Sequence, residues 1–157
     1  MKKDTDVFFE AIRLGDKDRL IALIGINPDL VNEKDARGFT PLILATYFNN
    51  EIATQILLEN NADINAKDGS GNTALIGVSF KGNTSLTTTL LANGADINAV
   101  NNAGTTALSF ATQYNKIDVV HLLLEHNADK SIKDNEGKTA LDYAEAKAYT
   151  DIIKFLN

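Results

Sequence analysis

The chain has 157 residues, no cysteine, and 21 acidic side chains against 15 Lys and Arg, giving a formal net charge of −6. That length holds one domain or one short array of repeats, and an acidic chain gains nothing from counterion release on phosphates, which disfavours DNA, RNA and anionic membranes as partners. Disulfides, thiolate zinc sites and Cys nucleophiles are excluded, and no uncharged apolar run has the length of a signal peptide or membrane helix, so the expected location is the cytoplasm.

From residue 35 onward the chain repeats itself with a period of 33. Asp35, Asp68, Asn101 and Asp134 form one column, and Gly38, Gly71, Gly104 and Gly137 a second. Thr40, Thr73, Thr106 and Thr139 form a third, and Leu42, Leu75, Leu108 and Leu141 a fourth. Ala62-Asp63-Ile64-Asn65-Ala66 recurs at 95–99 and, more loosely, at 128–132. The unit is complete at 35–67, 68–100 and 101–133.

Each unit opens on a D-x-x-G quartet, which is turn chemistry: the short polar side chain bonds the local backbone and Gly takes a left-handed conformation. The quartet predicts the tip of a finger-like loop. Thr two residues later reads as an N-cap, followed by Pro41 or Ala at the first helical position. In that helix Leu42 and Ala45, Leu108 and Ala111, and Leu141 and Ala144 lie three apart on one face, the small Ala admitting a close neighbour. After a break at Asn49, Gly82 or Asn115, a second helix presents Ile56-Leu57-Leu58 or Leu122-Leu123-Leu124. It ends at Asn61, Gly94 or Asn127, residues suited to a left-handed cap. The middle unit departs from this pattern with Thr84-Ser85-Leu86-Thr87-Thr88-Thr89. Thr is a weak helix former, and Thr89 takes the place of Ile56 and Leu122 in a column expected to face the core.

The finger, helix, turn, helix unit resembles the ankyrin repeat. The matching motifs are Asp35-x-x-Gly38-x-Thr40-Pro41-Leu42 and Leu57-Leu58-x-x-Asn61-Ala62-Asp63-Ile64-Asn65-Ala66, with their echoes downstream. Upstream, Ala11-x-x-x-Gly15-Asp16 and Asn27-Pro28-Asp29-Leu30-Val31-Asn32 resemble a degenerate first repeat. The resemblance implies an all-α ankyrin-repeat solenoid of stacked helix-turn-helix units with β-hairpin-like finger loops. It would form a single domain over 1–157, with an N-terminal cap at 4–34 and a C-terminal cap at 134–157. One departure stands out. The family's histidine after Leu is Ile43, Ile76, Ser109 and Asp142 here, so the polar ties between units lack their usual member.

Sequence features that could carry chemistry have structural readings. Gly69-Ser70-Gly71-Asn72-Thr73-Ala74 satisfies G-x-G-x-x-A, but it lies in register with the turn quartets and has no buried strand before it. His121 and His126 are five apart, roughly 140° around a helix, and cannot share a metal as an i,i+4 pair would. Asp63, Asn65 and Asp68 fail as a calcium loop because Lys67 and Asp68 occupy a ligand and a glycine position. Asn83-Thr84-Ser85 is a glycosylation sequon only in a compartment that nothing else implies. No nucleophile with an adjacent base and no paired carboxylates are visible, so no catalytic residue, cofactor or metal is expected.

The resemblance implies a noncatalytic scaffold that binds a protein partner through its concave groove and finger tips, and the chain is expected to be a monomer. Five layers would give a face about 40 to 50 Å long. At positions matching the family's binding surface stand Arg37 and Phe39, Tyr47 and Phe48, Asn72, Phe80 and Lys81, Thr105, and Gln113 with Tyr114. Phe39, Tyr47, Phe48, Phe80 and Tyr114 are aromatics expected to face solvent, the residue class that anchors interfaces. A competing placement tucks Phe48 or Phe80 back between units as core. Two rival functions are a structural spacer, which predicts a bland polar groove, and a ligand or enzymatic site, which predicts convergent polar groups with perturbed acidity.

Overall fold

A computed structural model describes all 157 residues and contains ten α-helices. They are α1 (Asp4–Leu14), α2 (Lys17–Ile26), α3 (Pro41–Tyr47), α4 (Glu51–Glu59), α5 (Ala74–Lys81), α6 (Thr84–Ala92), α7 (Ala107–Gln113), α8 (Ile117–Glu125), α9 (Ala140–Ala146) and α10 (Thr150–Leu156). A 3₁₀ turn, Pro28–Asn32, follows α2.

The expected all-α solenoid forms. Helices pair in chain order, and α1, α3, α5, α7 and α9 stack on one another as an inner layer. Behind them α2 packs on α4, and α6, α8 and α10 pack in series, while α4 and α6 barely touch. One apolar core runs the length of the stack from Phe8 to Leu156, and no buried side-chain nitrogen or oxygen lacks a hydrogen-bond partner. Ala45, Ala111 and Ala144 are wholly buried between inner helices, where a larger side chain would hold the neighbours apart.

The local signals act as the residue types require. Thr40, Thr73, Thr106 and Thr139 each accept an N–H bond three residues on, from Ile43, Ile76, Ser109 and Asp142. The Asp142 carboxylate answers by accepting the Thr139 N–H at 2.8 Å, which closes a capping box. Asn61, Gly94 and Asn127 take φ of 65°, 87° and 62°, and the next N–H in each case reaches back to the carbonyl of Leu57, Leu90 or Leu123. The fingers are turns and not strands. Asp35 accepts N–H bonds from Arg37 and Phe39, both 2.9 Å, and the later quartets repeat the pattern. The sole β-bridge joins Val100 to Thr106.

The units are tied without the missing histidine. Oδ1 of Asn32, Asn65 and Asn98 accepts the backbone N–H of Asp63, Asp96 and Asp129, each 31 residues ahead, at 2.7, 2.8 and 2.9 Å. Lys34 and Lys67 donate across the same seams to the carbonyls of Lys67 and Val100. At the finger tips Asn102 and Asn135 bond the backbone of the preceding tip through both main-chain and side-chain N–H.

Thr89 does not face the core. It is half-buried and lines a shallow hollow with Ile21, Ile52 and Ile56, along the seam where α4 and α6 stand apart. Thr87, Thr88 and Thr89 each donate to the carbonyl four residues back, of Asn83, Thr84 and Ser85.

Candidate functional site

The C-terminal ends of α3, α5 and α7 point one way along the stack, and each carries aromatic side chains that the core leaves uncovered. Tyr47 is 61% exposed, Phe48 42%, Phe80 43% and Tyr114 49%. Phe48 and Phe80 are therefore part of the surface and not folded between units. Tyr47 and Phe48 meet edge to face at 5.2 Å, and Phe80 meets Tyr114 edge to face at 4.5 Å across the next seam. Phe110, half-buried behind them, closes the second cluster at 6.2 Å from Phe80. Edge-to-face contact is the arrangement that aromatic quadrupoles favour, so each ring of a pair stabilises the other's placement on the surface.

Cations accompany the rings. Lys81 reaches back one unit to donate to the Tyr47 carbonyl at the end of α3, with its ammonium 4.9 Å above the Tyr47 ring. Lys147 repeats the arrangement two units on, donating to the Gln113 carbonyl at 2.7 Å and lying 5.8 Å from the Tyr114 ring centre. Both acceptors are neutral carbonyls at helix C-termini, which favour positive charge. Neither ammonium pairs with a carboxylate. Arg37 differs. Its guanidinium donates to Asp35 Oδ2 at 3.1 and 2.9 Å and sits 5.0 Å over the Phe39 ring.

Between α3 and α5 the surface sinks into a notch of about 350 Å³. Its lining includes the aromatics Phe39, Tyr47, Phe48 and Phe80, the polar residues Arg37, Asp68, Asn72 and Lys81, and Gly77. Gly77 makes the space. Leu44, Phe110 and Tyr143 occupy the same column in the other units, whereas a Cβ built on Gly77 would meet no atom within 4 Å. The helix itself has no use for this Gly, which costs about 1 kcal/mol relative to Ala in a helix interior.

The remaining sequence-derived positions divide. Asn72 is half-buried, its side-chain oxygen accepting from Asn101 Nδ2 at 3.0 Å. Gln113 donates to Ser109 Oγ at 3.2 Å. Thr105, expected at an exposed tip, is buried; its N–H bonds Asn101 Oδ1 as in the other quartets, which leave Phe39 half-buried and Lys138 exposed. Gly77 and Phe110 were not singled out from sequence. Gly77 signals itself only as a gap in a column otherwise filled by Leu, Phe and Tyr. Phe110 lies one helical turn before Tyr114 and completes a cluster visible only across the seam.

Of the groups with shifted acidity, Asp35 and Asp134 sit in finger turns, Asp129 in the turn after α8, Tyr143 on α9, and Glu10 on α1, where the hydrogen bond and charge of Lys2 lower it. Burial favours the neutral form of Asp134 most strongly, yet hydrogen bonds from the Tyr143 hydroxyl and the N–H groups of Lys138 and Glu136 outweigh it and hold the carboxyl below its ordinary range. The Tyr143 hydroxyl, donating to that carboxylate, is pushed up to about 12. Asp35 is lowered too, burial being overcome by the Phe39 N–H and the Arg37 side chain. These carboxylates are acceptors that build turns. Gly69-Ser70-Gly71 is likewise a turn, with Gly71 at φ 79° and its N–H on the Asp68 carbonyl at 2.9 Å. His121 lies 3.6 Å from Glu125 and 5.0 Å from the Phe155 ring, while His126 Nδ1 approaches the Leu122 carbonyl at 2.9 Å.

The family model described as ankyrin repeats (3 copies) matches residues 8–101 and 75–157. A comparison with curated proteins found no match. Ankyrin repeats are generally modules of protein–protein interaction and generally noncatalytic. With helix pairs, fingers and interunit seams all in the matching register, the chain belongs to the ankyrin-repeat family.

Proposed function

We propose that this protein is a noncatalytic scaffold that binds a protein partner through the concave groove and finger tips of a single five-unit domain. The observation that carries this reading is the row of exposed aromatics, Tyr47, Phe48, Phe80 and Tyr114, running across three units of the inner layer. Aromatics beside cations are the usual anchors of an interface, and a spacer has no need of them. The acidic balance favours a protein partner over a nucleic acid, and no helix is long and apolar enough to cross a membrane; we read the protein as a monomer acting in the cytoplasm.

Affinity capture from the native lysate with mass spectrometry identifies the partner, and point variants then test the face. Tyr47→Ala and Tyr114→Ala should each weaken binding by about 2 kcal/mol or more while the helical circular dichroism is unchanged. If both variants bind that partner as the parent does, the groove is not the site.

A further inference from the structure

The groove differs electrically from the rest of the molecule. Helices α3, α5 and α7 contain no acidic residue, and their one charge is Lys81. The acids of the central units lie on the outer helices, as Glu51, Glu59, Asp118 and Glu125, or accept N–H groups in turns, as Asp35 and Asp68 do, Asp68 also lining the notch between α3 and α5. Lys81 and Lys147 stay uncompensated because their hydrogen bonds go to neutral carbonyls. In a protein of net charge −6 the three central inner helices thus present aromatics and Lys81 with no acid of their own, Asp68 being the one carboxylate that lines the notch.

The notch over Gly77 adds a shape requirement. Its volume lies at the small end of the range for binding cavities. Its lining includes the rings of Phe39, Tyr47, Phe48 and Phe80, together with Lys81. We propose that the notch receives one bulky aromatic side chain from an extended, acidic segment of the partner, whose carboxylates flank that anchor and meet Lys81 and Lys147. The two lysines are two units apart, about 20 Å by helix packing distances, which an extended segment of about six residues spans. Gly77 is then the residue that sets specificity, since any larger side chain fills the space the anchor needs. This inference rests on the groove reading above and narrows the partner to one chemistry.

The test uses the full chain and a display library of random 12-residue peptides selected at physiological salt. Enriched peptides should carry one Trp, Phe or Tyr together with two or more Asp or Glu. Measured by fluorescence anisotropy, the best peptide should lose about tenfold or more in affinity on Gly77→Leu, and a similar factor on Lys81→Glu combined with Lys147→Glu. Gly77→Ala, which adds helix propensity and little bulk, keeps the fold as a control and should reduce affinity less. Enrichment of neutral or basic peptides, full affinity in Gly77→Leu, or a library that yields no binder would overturn the proposal. Should Tyr47→Ala and Tyr114→Ala abolish binding while Gly77→Leu leaves it intact, the groove stands and the notch falls. Should none of the groove variants change binding, both readings fall.

Discussion

Ala148 is held at φ 54°, in a column where the other units place Asn49, Gly82 and Asn115. A left-handed conformation costs an ordinary L-residue about 1–2 kcal/mol, and Asn and Gly are the residues that bear it best. The side chain is exposed, so nothing in the packing repays Ala at this turn. Ala148→Gly should therefore stabilise the protein by about 0.5 kcal/mol once the greater freedom of Gly in the unfolded chain is deducted, read as a higher urea midpoint. A lowered midpoint would show that α9 and α10 do not need this turn in its present form. The contrast marks what single residues disclose. Asn49 and Asn115 announce a left-handed break because their side chains suit it, whereas Ala148 carries no such signal and is imposed on by the helices either side. Thr105 likewise gives no local signal of its burial: it occupies a tip position whose equivalents Phe39 and Lys138 make the same turn bond and stay half-buried and exposed.

Among the elements, α6 is the least secure. Its three consecutive threonines satisfy their hydroxyls on carbonyls four residues back, a pattern that bends helices and slightly destabilises them. Small side chains on this helix also leave α4 and α6 apart, with the hollow at Thr89 between them. Amides of residues 84–91 should accordingly exchange through openings of lower free energy than those of 52–58 and 119–124. Thr89→Leu should stabilise the protein by about 1 kcal/mol, by extending apolar contact toward Ile52 and Ile56 and removing a residue of low helix propensity. Equal protection in all three helices, or a destabilised variant, would mean that the hydroxyl bonds outweigh the missing packing. The weak composition of α6 was legible in the sequence. The direction of Thr89 was not, because the period assigns a column while the distance between two helices depends on every side chain along the seam.

Taken as a molecule, the array spreads its acidity along four of its five units, residues 101–133 being neutral, and no basic stripe follows its length. Although the groove combines rings with cations, Lys81 and Lys147 are already counted in the net charge of −6, which governs the field at long range. Single-stranded and duplex oligonucleotides should show no shift with micromolar protein at physiological salt; a clear shift would reverse the assignment of the groove to a protein. The order of helices and fingers was readable from the repeat because each signal is local to a few residues. The seams were not, since Asn65 and Asn98 bond partners 31 residues away and nothing in their neighbourhood points there. That ladder has a consequence for inheritance. Every rung joins the same type of acceptor to the same backbone position one unit on, so an in-frame duplication of the codons for residues 68–100 would create a junction whose donor and acceptor already match. The gene can therefore lengthen by whole units without new mutations at the joint, although a copied Gly77 would face Asn72, Phe80 and Lys81 where the present one faces Phe39, Tyr47 and Phe48.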